Sequence, residues 1–202
     1  MDAHLEVLLR WAALFEERKA EDDDVYVWWG RIRSANRQQP LENVEEVLGI
    51  DAQVESGVET HLYLTDYRSL YVGDVSRITA DNIFADEVER AHAPDYYQGL
   101  IADYWFQLSD LRRLVHDDTR ETIQVLKELR NVHYSNRPVS LYGGMVNLPL
   151  VVTEDPPRSY FDEEADEHLI GAGRWAQHDA EQHGDVGRMH RELRDNLVGR
   201  RA

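Results

Sequence analysis

The stretch that decides the fold is residues 25–33, Val-Tyr-Val-Trp-Trp-Gly-Arg-Ile-Arg. β-Branched and aromatic residues dominate it, and such side chains suit the pleated surface of a strand. Because side chains alternate between the faces of a strand, Val27 and Trp29 share one predicted face, and Tyr26 and Trp28 share the other. Both faces are apolar or aromatic. The stretch therefore predicts a strand that is covered on both sides, as in a central strand or a barrel wall.

Outward from this strand, period-two patterns predict further strands at 61–64, 69–72, 101–108, 139–142 and 145–153. The first two form a predicted hairpin, and the Gly-Gly pair at 143–144 predicts a second hairpin between the last two. Between the hairpins, Ser109-Asp110 is expected to begin a short helical turn. Asp118 is expected to cap a longer helix.

The chain divides by pattern into three parts. Apolar residues at spacings of three and four predict an N-terminal helix within residues 1–24. Residues 25–153 hold the predicted strands, and residues 154–202 predict an acidic helical arm with few large apolar side chains. The predicted fold is therefore α+β: a small mixed or antiparallel β-barrel with flanking N- and C-terminal helices.

Composition excludes several classes of protein. The 202 residues include no cysteine, which excludes disulfide scaffolds, thiolate metal sites and cysteine nucleophiles. There is no Gly-Lys-Ser/Thr phosphate loop, no Gly-x-Gly-x-x-Gly turn and no Gly-x-Ser-x-Gly motif. No apolar run approaches the roughly 20 residues that span a bilayer, and no signal peptide opens the chain. We expect a soluble cytoplasmic protein without membrane contact.

The charge of the chain is strongly negative. It has 39 acidic and 22 basic residues, a formal net charge of −17, and only two of the basic residues are lysine. A halophilic or GC-rich source would produce the same bias. An acidic surface opposes nucleic-acid binding, because neutralisation of phosphates dominates affinity there. Such binding would need a local basic patch or a pocket for one nucleotide.

Large aromatic side chains stand beside arginines in two of the predicted strands. The pairs Trp28-Trp29 and Tyr104-Trp105 place adjacent rings on opposite faces, so one ring of each pair is expected outside the core. An exposed ring can stack on a nucleobase, which contributes roughly 1–3 kcal/mol per base. Core packing and salt bridges are the ordinary alternatives for these residue types. The arginines that follow the two pairs and are candidates for binding phosphate are Arg31, Arg33, Arg112 and Arg113.

The order of these elements resembles the PUA-like superfamily, and most of all its EVE-type members, which read modified bases. The resemblance covers about residues 25–153. It implies an aromatic pocket in a small β-barrel that accepts a flipped base of DNA or RNA. It also implies a non-catalytic, cofactor-free recognition module, such as the sensor subunit of a nucleic-acid or antiviral defence system. The positions that match the pocket are the aromatic Trp28, Trp29, Tyr104 and Trp105, with Ser109 and Asp110 as polar contacts.

Two other functions fit the sequence. An acidic assembly subunit would bury its aromatic residues and use its terminal helices to bind a protein partner or a second copy of the chain. A metal-dependent hydrolase would use acidic loop clusters. Separately, Asp103, Asp110 and His116 would form an acid–base set if they converge. The histidine spacing does not suit zinc, so we predict no metal ligand. The recognition module that the resemblance implies has no catalytic residue.

Overall fold

A computed structural model of the chain describes residues 7, 9–11, 13–14, 25–33, 36–37, 39–139 and 150–161. The described chain mixes helices and strands, and its main antiparallel sheet curls into half a barrel. This confirms the α+β class and is compatible with a small barrel. The described strands are β1 Val27–Ile32, β2 His61–Thr65, β3 Leu70–Thr79, β4 Ala102–Val115, β5 Leu129–Asn131, β6 Arg137–Pro138 and β7 Val152–Glu154.

The larger sheet has four strands in the order β1-β4-β3-β2, and every pairing is antiparallel. β1 and β2 are therefore its two edges, and the 14-residue β4 lies next to β1. The predicted hairpin at 61–72 is confirmed as β2 and β3. Asp66 closes its turn, because one carboxylate oxygen accepts hydrogen bonds from the backbone N–H groups of Arg68 and Ser69.

Helices connect the strands of this sheet. The short helices α1 (Val44–Gly49) and α2 (Asp51–Glu55) lie between β1 and β2. A third helix, α3 (Glu87–Ala91), lies between β3 and β4, and the side chain of Asp86 caps it. The described residues of the predicted N-terminal helix (7, 9–11 and 13–14) are helical, and three of them belong to the core. The division of the chain into three parts stays a prediction.

A second sheet has three short strands in the order β6-β5-β7. Helix α4 (Thr119–Leu126) precedes it and begins at Asp118, whose side chain accepts hydrogen bonds from the backbone N–H groups of Arg120 and Glu121. The predicted cap is thereby confirmed. Among the described residues, no helix combines the length and the apolar character that a membrane span requires.

Two clusters of buried side chains form the core of the described chain. The larger one gathers the apolar residues of β1 and β4 together with those of the surrounding helices. The smaller one lies between the far ends of β3 and β4, helix α4 and β5, and consists of Leu70, Val115, Leu126, Leu129 and Val139. β4 contributes to both clusters, so it joins the two parts of the fold.

One element is predicted wrongly. No helical turn begins at Ser109-Asp110, because β4 continues to Val115. The spacing of Leu111 and the next leucine suits a helix, but residues 111–113 pair with β3, and this pairing outweighs the local preference. The predicted Gly-Gly hairpin at 143–144 and most of the predicted C-terminal arm, residues 162–202, lie outside the described residues.

Candidate functional site

Two of the predicted ligand-binding rings, Trp28 and Trp105, lie in the core. Their exposed fractions are 0% and 3%. The indole N–H of Trp28 donates to Glu89 at 2.8 Å. The ring of Trp105 crosses β1 so closely that a Cβ at Gly30 would lie 2.3 Å from it, and its outer side packs against Tyr97. Neighbouring side chains surround both rings, so a base could reach them only if the core opened.

The other two predicted rings, Trp29 and Tyr104, lie on the opposite face of the same two strands. Phe106 stands between them, with ring centroids 5.9 Å from Trp29 and 5.5 Å from Tyr104. Trp29 is half-buried, whereas Tyr104 is fully buried. The expectation that one ring of each adjacent pair lies outside the core is therefore wrong for Tyr104-Trp105, because both faces of β4 are covered.

A β-bulge shapes this face. Gly30 pairs with Trp105 and Ile32 pairs with Ala102, so β4 holds one more residue than β1 in this interval. The interval of β4 contains Asp103 and Tyr104. Bulges bend a strand and re-aim its side chains. Here the bulge directs a carboxylate and a phenol from consecutive positions toward the arginines that end β1.

Arginines surround the buried carboxylate of Asp103, whose side chain has no exposed surface. Arg33 donates from Nε to one oxygen at 2.8 Å, and Arg37 donates from Nη2 to the other. Burial raises the pKa of the Tyr104 phenol, and Asp103 adds to that rise, while the positive charges of Arg31 and Arg37 oppose it. Three arginines thus act on one carboxylate and one phenol. This local excess of positive charge contrasts with the net charge of −17 of the whole chain.

Three buried donors at this face have no hydrogen-bond partner in the part of the chain that the structure describes. They are the indole N–H of Trp29, the hydroxyl of Tyr104 and Nη1 of Arg37. Buried polar groups of native proteins are nearly always hydrogen-bonded, so each exception calls for a partner beyond the described residues, such as a water, a ligand or another part of the chain. The donors would complement a molecule that offers oxygen or nitrogen acceptors. We call Trp29, Arg31, Arg33, Arg37, Asp103 and Tyr104 the β1–β4 site.

The remaining predicted residues lie further along β4. The hydroxyl of Ser109 donates to Asp74 at 2.6 Å, and Asp110 accepts from Nε of Arg112 at 3.1 Å. Burial raises the pKa of Asp110, although the charge of Arg112 opposes the rise. Five residues of strand, about 17 Å, separate this group from the β1–β4 site. Arg113 pairs with Tyr71 in the sheet register and belongs to neither group.

A cavity of about 350 Å³ lies on the α3 side of the sheet, away from the β1–β4 site. Two arginines and two carboxylates line it, so its charges balance. Its lining includes Arg10, Phe84, Glu87, Arg90, Asp95 and Gln98. Within the described ranges, no group of three or more histidine or acidic side chains could hold a metal ion.

The structure thus divides the predicted site. It brings together Trp29, Arg31, Arg33 and Tyr104, and it groups Ser109, Asp110 and Arg112 elsewhere. The predicted ligand site omits Asp103 and Arg37. The position of Arg37 shortly after Arg31 and Arg33 was a signal for it, whereas Asp103 joins the site through the bulge, which the sequence does not show. No protein-family model, curated protein or solved structure matches this chain.

Proposed function

We propose that this protein is a non-catalytic recognition module that binds a nucleobase, in DNA or RNA and carrying a modification, at the β1–β4 site. The observation that carries the proposal is the set of three buried donors without partners beside three arginines. The resemblance of the sequence to PUA-like readers of modified bases supports the same function, and the curled antiparallel sheet is compatible with a small α+β barrel.

The chemistry of the β1–β4 site suits one nucleotide. The half-buried ring of Trp29 offers a surface for stacking. Its N–H and the Tyr104 hydroxyl are buried, so a base edge would accept hydrogen bonds from them only after the side chains that cover them move aside. Arg31 and Arg33 offer planar guanidinium groups, which bind phosphate in a bidentate manner. Trp28 and Trp105, by contrast, act as the packed interior behind the site.

Two variants test this proposal without a large change in packing. Trp29→Phe removes the indole N–H, and Tyr104→Phe removes the hydroxyl, while each keeps an aromatic ring. Loss of one hydrogen bond to the ligand is expected to weaken binding by about tenfold, equivalent to about 1.4 kcal/mol. Tyr134→Phe is the control, because Tyr134 is 67% exposed and lies outside the site.

The assay is fluorescence anisotropy with short labelled DNA and RNA strands, each prepared with and without methylated bases. The proposal expects the wild-type protein and Tyr134→Phe to bind a modified strand more tightly than the unmodified one. It also expects both site variants to bind that strand more weakly. If the wild type binds none of these strands, or both site variants bind as the wild type does, the proposal fails.

An exposed apolar surface on the segment that precedes β4 in the sequence favours a second candidate function, that of an assembly subunit. Tyr96, Leu100 and Ile101 are 38%, 43% and 65% exposed. Light scattering coupled to size exclusion distinguishes the two functions. A defined oligomer that Ile101→Asp dissociates, together with no binding to any strand, would favour the assembly subunit.

A further inference from the structure

His61 begins β2, at the edge of the main sheet opposite to β1. Both ring nitrogens of His61 contact carboxylates. Nδ1 lies 2.7 Å from Glu154 and Nε2 lies 2.7 Å from Glu59. The side chain is only 4% exposed. This arrangement is independent of the β1–β4 site, because β1 and β2 are opposite edges of the sheet.

The geometry requires the doubly protonated form of His61. A neutral imidazole has one N–H donor and one lone pair, so only one of its nitrogens can donate to a carboxylate. The second nitrogen would then present its lone pair to a negatively charged oxygen at 2.7 Å. The pKa of His61 agrees with this reasoning: burial lowers it, but the bonds to Glu154 and Glu59 outweigh burial and raise it above its ordinary value.

The two carboxylates that His61 contacts also bind residues 154–161, which we call the strap. Glu154 is the first residue of the strap, and its second oxygen accepts from the backbone N–H of Arg158 at 3.0 Å. Glu59 accepts from the hydroxyl of Ser159 at 2.7 Å and from the backbone N–H of Tyr160 at 3.1 Å. His61 therefore holds both Glu154, the first residue of the strap, and Glu59, which binds the strap near its other end.

The strap also covers the polar face of the sheet. The guanidinium of Arg112 lies 5.0 Å from the ring centroid of Phe161, and the hydroxyl of Tyr63 donates to Glu154 at 2.6 Å. Asp74 is the register partner of both His61 and Asp110, so a row of charged residues runs beneath the strap. The charged and titratable groups around His61 are Glu59, Tyr63, Asp74, Glu154, Arg158 and Tyr160, with Asp110 and Arg112 one strand further.

We propose that the strap is a pH-sensitive latch, which the His61 imidazolium holds closed by binding Glu59 and Glu154 together and which opens when that proton is lost. Among the described residues, His61 is the cation that contacts both Glu59 and Glu154. Without the proton, these two carboxylates remain near one another and repel each other. Arg158 does not replace His61, because it is engaged with Glu128 and Tyr160. Opening exposes Phe161 and the face that contains Arg112.

The pH range follows from the signs of the pKa shifts. The pKa of His61 is raised, so its contribution is complete below about 6.5, the ordinary value, and is lost as the pH rises through the raised value. The pKa values of Glu59 and Glu154 are both lowered. Burial raises them, but the hydrogen bonds from Ser159 and His61 to Glu59, and from His61 and Tyr63 to Glu154, outweigh burial. The carboxylate contribution is therefore present above about 4.5 and is lost as the pH falls through those lowered values.

Hydrogen exchange of the Arg158 and Tyr160 amides, measured by NMR, tests the latch because both amides bond to the carboxylates that His61 fixes. His61→Gln is expected to exchange at these amides about tenfold faster than the wild type at about pH 6, the factor expected from the loss of about one charge-assisted hydrogen bond. His116→Gln is the control, because His116 is exposed and distant in sequence from the strap. In the wild type, protection corrected for the intrinsic rate is expected to fall as the pH rises above about 6.5, through the raised pKa of His61.

Equal protection in His61→Gln and the wild type, or protection that does not depend on pH, would overturn the proposal. If His61→Gln does not fold, Glu59→Gln replaces it, since it removes one charge and keeps an acceptor. A ¹⁵N titration of His61 in the wild-type protein is decisive in either case. A pKa at or below about 6.5, or a ring that is neutral at about pH 6, refutes the latch.

Discussion

Removal of the Tyr104 hydroxyl is expected to strengthen the fold while it weakens ligand binding. Tyr104→Phe keeps the ring that packs edge-on against Phe106 at 5.5 Å, and it deletes a buried hydroxyl without a partner among the described residues. An unsatisfied buried hydroxyl costs about 1–3 kcal/mol. The small void that the oxygen leaves costs less than about 1 kcal/mol. The free energy of unfolding is therefore expected to rise by about 1 kcal/mol, and Tm by about 2–4 °C.

Urea denaturation followed by tryptophan fluorescence measures this change in ligand-free protein. The Tyr134 hydroxyl is solvated in the wild type, so the free energy of unfolding of Tyr134→Phe is expected to stay within about 0.5 kcal/mol of the wild-type value. A loss of more than about 1 kcal/mol in Tyr104→Phe would show that the hydroxyl has a partner in solution. The argument that this donor is kept for a ligand would then be refuted, whatever the binding data show.

Four further outcomes are expected. Gly30→Ala places a Cβ 2.3 Å from an indole ring and is expected to destabilise the fold by about 1–3 kcal/mol; Gly49→Ala, with nothing within 4 Å, is expected to be neutral or stabilising in the same urea assay. Asp103→Asn leaves the guanidinium groups of Arg33 and Arg37 with a neutral partner. Because these side chains are 22% and 25% exposed, we expect the free energy of unfolding to fall by about 1–2 kcal/mol rather than by the full cost of a buried ion pair. An unchanged denaturation midpoint would contradict this. Global stability is expected to fall as the pH rises through the raised pKa of His61, and a flat series of urea midpoints above about pH 6.5 would count against it. Because three arginines can neutralise at most about three phosphates, log K for a single strand is expected to fall with log salt at a slope of about −2, and a slope steeper than about −4 would indicate a second, extended surface.

The fold was predictable where short stretches of sequence carry a complete physical signal. The strand at 25–33 was predicted from its aromatic and β-branched side chains, and the structure contains it as β1. It is an edge strand and not a central one, and its face with Trp29 is only partly covered. Asp118 was predicted as a helix cap from its own side chain and the pattern that follows, which is all that a cap needs. The continuation of β4 past Ser109 was not predictable in this way. It depends on pairing with β3, a strand more than 30 residues earlier in the chain.

The site was predictable in its residue types but not in its geometry. The alternation of side chains along a strand predicts which rings lie on opposite faces, but it does not predict which face is covered. Tyr104 and Trp105 lie on opposite faces and are both buried. The bulge between the Gly30 and Ile32 pairings depends on the register of two strands that lie about 70 residues apart, and it turns the consecutive side chains of Asp103 and Tyr104 toward the arginines at the end of β1. A single sequence shows neither property, because each arises from contacts between distant segments.

The distribution of charge limits the kind of ligand that the β1–β4 site would accept. The chain carries 39 acidic residues, and an extended polyanion laid across such a surface would meet repulsion along most of its length. The arginines at the site oppose that repulsion only locally, and Asp103 already engages two of them. A bound phosphate must therefore compete with Asp103, which lowers the gain from each ionic contact. Discrimination would then depend on the buried donors and on the ring of Trp29, and these act on one base at a time.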